Sequence, residues 1–171
     1  MRAHPIALGG LLVALAVVIL LLGGALGIGT YAAPILALAI LLPLHEEYGS
    51  KVALLAWIAV SILAFLLVPE VELSAIYAAF GWYPAAQPFF NRLPGKLLPL
   101  VAKLGIYTVE TLLLYQGLLR FLGLTADLLE STRAFNILLF FTGAFIFLLA
   151  DRMLSRFRII WNVRFRERFF R

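Results

Sequence analysis

The chain has 171 residues, of which 64% are hydrophobic and 13% are charged, and its mean hydropathy is +1.03. A soluble globular domain carries about twice that share of charged residues, so the composition excludes one and indicates an integral membrane protein. The absence of cysteine excludes disulfides, thiolate metal sites and cysteine nucleophiles.

The apolar runs are continuous and rich in Leu and Ala, which predicts membrane-spanning helices rather than a β-barrel. Turn residues and charges delimit six of them: Ile6–Leu26, Tyr31–Leu44, Val52–Val68, Leu73–Phe90, Leu97–Leu122 and Ala134–Leu149. The second run is short for a crossing, so it either extends into its flanks or is partly re-entrant. The fourth contains Pro84 and Pro88, which predict a break in the helix.

Cations flank these runs mainly on one side of the membrane, at Arg2, Lys51, Arg92, Lys96 and the arginines of the tail. Because positive charges near span ends stay in the cytoplasm, both termini are expected there. The predicted fold is therefore an all-α transmembrane domain of about six helices in residues 1–150. A basic, aromatic tail follows in residues 151–171.

The tail, DRMLSRFRIIWNVRFRERFFR, mixes arginines with aromatic and aliphatic residues. This composition favours a position in the membrane interface, with the basic side facing anionic headgroups. Because the tail is tethered to a membrane, lipid or a cytoplasmic partner is preferred over nucleic acid.

Glu110 interrupts the apolar run of the fifth predicted helix, about 20 Å along it from Leu97 and near the middle of the bilayer. It shares a helical face with Lys103 and Tyr107, and this face is expected to point into the protein because an isolated charge in hydrocarbon is costly. Two interpretations remain open. Either Glu110 anchors a ligand, or it bonds a neighbouring helix while Lys103 snorkels to the cytoplasmic interface.

Residues 77–90, YAAFGWYPAAQPFF, place Tyr77, Trp82, Tyr83 and Gln87 around the predicted break. A broken helix frees backbone carbonyls and amides, and aromatic walls beside it can hold a flat or cationic organic ligand. The alternative is that Trp and Tyr form an interfacial belt and that the prolines only kink the helix.

Residues 45–51, HEEYGSK, concentrate charge at a predicted cytoplasmic turn. They do not form the HExxH zinc motif, because Gly49 stands where the second histidine is required. We expect a structural or docking role, in which Glu46 or Glu47 pairs with an arginine of the tail and Gly49 ends the turn.

Gly10 and Ala14 form a small-xxx-small pattern in the first predicted helix, and the glycine-rich stretch GIGT, residues 27–30, follows that helix. With six helices and cytoplasmic termini, the chain resembles the substrate-binding S components of energy-coupling-factor vitamin transporters, which carry an AxxxA docking motif in their first helix. The resemblance covers nearly the whole chain as a topology.

The resemblance implies a subunit of the bacterial cytoplasmic membrane that binds a small, vitamin-like molecule and needs no cofactor. Its substrate-binding residues would be Glu110, Trp82, Tyr83, Tyr107 and Asn136. Its docking residues, Gly10, Ala14, Glu46 and Glu47, would contact a transmembrane scaffold that carries ATPase subunits. The chain itself is not expected to be an enzyme, and it contains no P-loop of the GxxxxGK[ST] type.

A second expectation is a non-enzymatic scaffold or assembly protein of the cell envelope, whose helices and basic tail recruit partners without any ligand. An intramembrane enzyme ranks behind both functions. Glu110 has no matched acid, metal set or nucleophile in the sequence that would support a particular reaction.

Overall fold

The structure is a computed structural model that describes residues 3–26, 31–95, 97–121 and 133–165, with the side chains of residues 7–26, 31–95, 97–114 and 137–163. Every regular element in these ranges is helical, which confirms the all-α prediction. The helices are α1 Ala3–Leu26, α2 Ala32–Tyr48, α3 Ser50–Leu67, α4 Val71–Phe80, α5 Tyr83–Asn91, α6 Leu97–Phe121 and α7 Arg133–Ile160. A short π-helix, Trp161–Phe165, continues α7.

Four of the described helices, α1, α3, α6 and α7, are long and apolar enough to cross a membrane. The chain is therefore a membrane-embedded helical protein. Helix α2 has 17 residues, whereas α4 and α5 have only 10 and 9. At about 1.5 Å per residue, α4 and α5 each cover roughly half of a hydrocarbon layer that is about 30 Å thick.

The second predicted helix extends into its flank. It continues beyond Leu44 to Tyr48, so the first four residues of HEEYGSK form its last turn. Only Gly49 separates α2 from α3, and its φ of 82° is a left-handed conformation that glycine adopts without strain. His45 Nε2 lies 3.1 Å from the Ser50 hydroxyl across this turn.

Helices α1 and α2 pack against each other in antiparallel orientation. Gly9, near the start of α1, faces Leu44 near the end of α2, whereas Gly23, near the end of α1, lies directly against Ala33 at the start of α2. The approach at Gly23 is so close that an added Cβ would overlap the Cβ of Ala33. Helix α2 therefore follows α1 over most of its length.

Helices α3 and α4 are also antiparallel to each other. The end of α3 at Val68 lies against Gly24 near the end of α1, and α4 starts only three residues later, at Val71. Helix α4 then returns along α3, because the Trp57 ring packs on Gly81, just beyond the end of α4. The fully buried aliphatic core includes Ala16, Leu20, Ala37, Leu42, Val60, Ala64 and Leu73.

The chain divides into two compact units. The first unit is Met1–Pro88 with Met153–Arg171, and the second unit is Phe89–Arg152. Helix α7 remains continuous to Ile160, so the predicted boundary between the transmembrane domain and the tail, at residues 150 and 151, lies inside a helix. The GIGT stretch and residues 166–171 of the tail lie outside the described residues.

The close approach of α1 and α2 predicts the effect of a single methyl group. Gly23→Ala is expected to lower the free energy of unfolding by about 1–3 kcal/mol, because the new Cβ would overlap Ala33. Gly10→Ala in the same helix is the control, since nothing lies within 4 Å of its added Cβ. Thermal unfolding in detergent measures both variants, and equal stability would contradict the contact at Gly23.

Candidate functional site

The helical segment of residues 71–91 is broken between Phe80 and Tyr83, as its prolines predict. Pro84 lies in the first turn of α5, where its missing N–H removes no intrahelical hydrogen bond. Pro88 lies inside α5 and cannot donate to the carbonyl of Pro84 one turn earlier. The break therefore leaves backbone carbonyls without their usual helical donors.

Side chains from two other helices donate to the freed carbonyls. Trp57 Nε1 donates to the carbonyl of Ala78, in the last turn of α4, at 3.1 Å. Arg158 Nη2 donates to the carbonyl of Pro84 at 3.0 Å. Because an unbonded carbonyl in an apolar environment is costly, these two hydrogen bonds stabilise the break inside the bundle.

The α4 side of the break packs against the interior of α3. Trp57, which packs on Gly81 and bonds Ala78, is about 10 Å from the start of α3 and about 15 Å from its end at 1.5 Å per residue. The α4 side of the break is therefore remote from the ends of α3, whereas the carbonyl of Pro84 on its α5 side is bonded by Arg158, two residues before the end of α7.

Polar side chains are buried on both sides of this break, at Ser74, Tyr77, Tyr83 and Gln87. The Ser74 hydroxyl donates to the carbonyl of Glu70 at 3.4 Å, and Gln87 Nε2 donates to the Ser155 hydroxyl at 3.0 Å. The hydroxyl of Tyr77 has no hydrogen-bond partner among the described residues, although this residue is 0% exposed. Since an unbonded buried hydroxyl is unfavourable, it is a group that a bound ligand could complete.

The two aromatic residues predicted to bind substrate in this segment lie at the break itself. Trp82 is half-buried in the turn between α4 and α5. Tyr83 is the first residue of α5 and is only 3% exposed, so it faces protein rather than an interfacial belt. Their role in binding stays a prediction.

A polar clamp, defined by Glu46, Glu47, Arg158, Trp161 and Asn162, joins the end of α2 to the end of α7. Arg158 Nε forms an ion pair with Glu46 Oε1, and Asn162 Nδ2 donates to Glu46 Oε2 at 3.2 Å. Trp161 Nε1 donates to Glu47 Oε1, also at 3.2 Å. The expected pair between one of these glutamates and an arginine of the tail is present.

The second unit contains a buried ion pair. Lys103 Nζ donates to Asp151 Oδ2 on α7 and to Asn91 Oδ1 at the end of α5, both at 2.7 Å. Lys103 and Asp151 are 8% and 7% exposed, so little water screens the pair. The ammonium group of Lys103 is therefore bonded by oxygen atoms of α5 and α7, and its depth in the membrane stays a prediction.

The remaining predicted substrate-binding residues belong to α6 and α7. Tyr107 is 6% exposed, donates to the carbonyl of Phe140 at 3.1 Å and stacks against Phe147 with ring centroids 5.6 Å apart. Its hydroxyl thus joins α6 to α7. Glu110 lies one turn further along α6 and is half-buried, and the side chain of Asn136 lies outside the described residues.

These residues are divided between the two units. Trp82 and Tyr83 belong to the first unit, whereas Tyr107 and Glu110 belong to the second. The break brings together residues from one stretch of sequence, and the grouping of all predicted substrate-binding residues in one pocket stays a prediction.

The predicted docking residues differ in their surroundings. Gly10 and Ala14 are exposed on α1, and no described residue lies within 4 Å of a Cβ added at Gly10. Glu46 and Glu47 are both engaged by the polar clamp of the same chain.

Sequence reasoning missed several residues that complete the polar contacts, namely Asn91, Asp151, Ser155, Trp57 and Asn162. A signal for Asp151 was available, because a lysine in an apolar helix requires a counter-ion and the chain has only nine Asp and Glu residues. Asp151 directly follows the apolar run of the last predicted helix. No pattern in the sequence marks Ser155 as the partner of Gln87.

Comparison of the chain with protein-family models, with curated proteins and with solved structures finds no match. Within the described part of the chain, no group of three or more His, Cys, Asp or Glu residues is placed to hold a metal ion.

The buried ion pair predicts that removing one charge destabilises the protein more than removing both. Lys103→Met is expected to lower the free energy of unfolding by about 3–5 kcal/mol, because it leaves the carboxylate of Asp151 buried without its counter-ion. Adding Asp151→Leu to this variant should recover most of the loss, since neither charge then remains.

Thermal unfolding in detergent compares the single and double variants with Lys51→Met, which removes an exposed lysine and should change stability little. If the double variant is no more stable than Lys103→Met alone, the unpaired carboxylate of Asp151 is not the cause of the lost stability.

Proposed function

We propose that this chain is the membrane-embedded binding subunit of a small-molecule uptake transporter, with ATP hydrolysis performed by separate subunits. The observation that carries the proposal is the discontinuous helix α4–α5, whose break lies beside a buried Tyr77 hydroxyl that no described residue bonds. Membrane transporters use discontinuous helices to place polar backbone and side-chain groups near the middle of the bilayer, where substrates bind.

The packing of α2 supports a topology with six crossings. Helix α2 accompanies α1 from Gly9 to Gly23, a distance of about 21 Å along the helix. Helices α4 and α5 together have the length of one further crossing. The proposed six crossings are α1, α2, α3, the pair α4–α5, α6 and α7. The distribution of Lys and Arg favours cytoplasmic termini.

The side chains at the break favour a small, flat ligand without net negative charge. Tyr77, Trp82, Tyr83 and Gln87 are all uncharged, and aromatic rings provide surfaces for a planar or cationic group. The Tyr77 hydroxyl would supply one directed hydrogen bond. A vitamin-like molecule has this chemistry.

The resemblance to S components also implies substrate-binding residues within the second unit. Glu110 would balance a cationic group of the ligand, and Asn136 would add an amide. Tyr107 would contribute its ring alone, because its hydroxyl already bonds the carbonyl of Phe140.

The exposed small-residue face of α1 supports docking to a transmembrane scaffold. Ala7, Gly10 and Ala14 are exposed at helical spacings of three and four, and nothing in the described structure lies within 4 Å of a Cβ added at Gly10. Small residues allow the backbone of a second helix to approach closely inside a membrane. The proposed scaffold subunit would bind at this face.

The alternative function is that of a non-enzymatic scaffold or assembly protein of the cell envelope. It is favoured by the internal hydrogen bonds of Lys103, Gln87 and Arg158, which are the contacts that a purely structural role requires. The Tyr77 hydroxyl is what distinguishes the two functions, because a structural role gives no reason to bury it unbonded.

Tyr77→Phe tests whether this hydroxyl serves a ligand. Without ligand the variant should be as stable as the wild type or more stable by about 1 kcal/mol, because an unbonded buried hydroxyl is removed. Tyr107→Phe is the matched control and should lose about 1 kcal/mol, since its hydroxyl bonds Phe140. Thermal unfolding in detergent measures both variants.

The same assay with a panel of vitamins extends the test. A compound that binds the folded state raises the Tm of the wild type and should raise that of Tyr77→Phe less. A Tyr77→Phe variant that is clearly less stable than the wild type without ligand would contradict the proposal, because the hydroxyl would then be bonded within the protein.

Purification from the native membrane in mild detergent tests the partners. A transmembrane subunit and two ATPases should accompany the wild type and be lost from the Gly10→Leu, Ala14→Leu variant, whose larger side chains block close helix approach. Gly105→Leu, an equally exposed glycine replacement on α6, should retain them. Recovery of cell-envelope proteins instead, identified by mass spectrometry, would favour the assembly function.

A further inference from the structure

Helix α7 is longer than a membrane crossing requires. Its 28 residues extend about 42 Å, whereas the hydrocarbon layer is about 30 Å thick. Residues 134–150 carry no charge, and the first charged residue after them is Asp151. The last turns of α7 therefore emerge from the hydrocarbon into the headgroup layer.

One face of these last turns contacts protein. Leu154 is only 2% exposed, Ser155 accepts a hydrogen bond from Gln87, and Arg158 pairs with Glu46. These positions follow one another at helical spacing. Arg158 is thus committed to the protein and is not available to the membrane surface.

The other face is exposed and combines positive charge with apolar side chains. We name it the basic face and define it by Arg152, Met153, Arg156, Ile159 and Ile160. Met153, Ile159 and Ile160 are 55%, 63% and 47% exposed, although they are large and apolar. Spacings of three and four place all five residues on one side of α7.

The two arginines of this face keep their charge free of nearby acids. The acidic groups next to it in sequence or space, Asp151 and Glu46, are paired with Lys103 and Arg158. Within the described part of the chain, neither Arg152 nor Arg156 takes part in a salt bridge. An anion from outside the chain therefore meets two uncompensated guanidinium groups.

We infer that the basic face binds the phosphate headgroups of anionic lipids in the membrane that the chain crosses. Guanidinium groups match phosphate oxygens in a bidentate geometry, and the exposed apolar side chains fit the boundary between headgroups and acyl chains. A nucleic acid would satisfy the arginines but leave Met153, Ile159 and Ile160 in water. This inference does not depend on the proposed transport function.

The test uses the full chain, purified in mild detergent and exposed to an equimolar mixture of phosphatidylglycerol and phosphatidylcholine. Native mass spectrometry measures the ratio of the two lipids that remain bound. The wild type should be enriched in phosphatidylglycerol, and Arg152→Gln with Arg156→Gln should lower the enrichment by about five-fold for each arginine. Gel filtration verifies that the variant remains folded, as exposed positions predict.

Two controls separate this face from general charge effects. Lys51→Gln with Arg92→Gln removes the same net charge from other exposed positions and should retain most of the enrichment. Arg158→Gln should lower the Tm but leave the lipid ratio unchanged, because Arg158 contacts protein.

Three outcomes would overturn the inference. In the first, the Arg152 and Arg156 variant keeps the lipid ratio of the wild type. In the second, the Lys51 and Arg92 variant loses as much enrichment, which would assign the effect to net charge alone. In the third, a short single-stranded oligonucleotide displaces phosphatidylglycerol from the wild type, which would assign the face to nucleic acid.

Discussion

The break between α4 and α5 depends on hydrogen bonds that the rest of the first unit must supply. Inside an apolar bundle no water replaces a missing donor, so each freed carbonyl needs a partner from the protein. Trp57 donates a hydrogen bond to the carbonyl of Ala78, and Arg158 donates one to the carbonyl of Pro84. Pro88, one turn after Pro84, has no N–H to donate to that carbonyl. The positions of α3 and of the end of α7 are thereby tied to the broken helix.

Arg158 gives the end of α7 two roles at once. Its hydrogen bond to the carbonyl of Pro84 stabilises the break, and its ion pair with Glu46 links α7 to the last turn of α2. The opposite side of the same turns exposes Arg152 and Arg156. The region proposed to bind a small molecule and the surface inferred to bind lipid thus share one helix end, divided between its two faces.

The sequence predicted the features that depend on composition and on local backbone chemistry. Continuous apolar runs predicted an all-α membrane protein, because only hydrogen-bonded helices satisfy the backbone of such segments in lipid. Pro84 and Pro88 predicted the break, because in a continuous helix each would leave the carbonyl one turn earlier without its N–H donor. Gly49 was expected to end the turn after the second helix, and its left-handed conformation, which only glycine adopts freely, separates α2 from α3.

The tertiary structure alone decided which distant residues meet. Lys103 pairs with Asp151, 48 positions later, and Arg158 reaches back 74 positions to Pro84. Such pairs depend on how helices are packed, which short-range spacing does not encode. Packing also decided that Gly10 remains exposed while Gly23 contacts α2, although both are glycines of α1. The sequence thus determined the class of protein and the break in its helix, whereas packing selected the partners that make both stable.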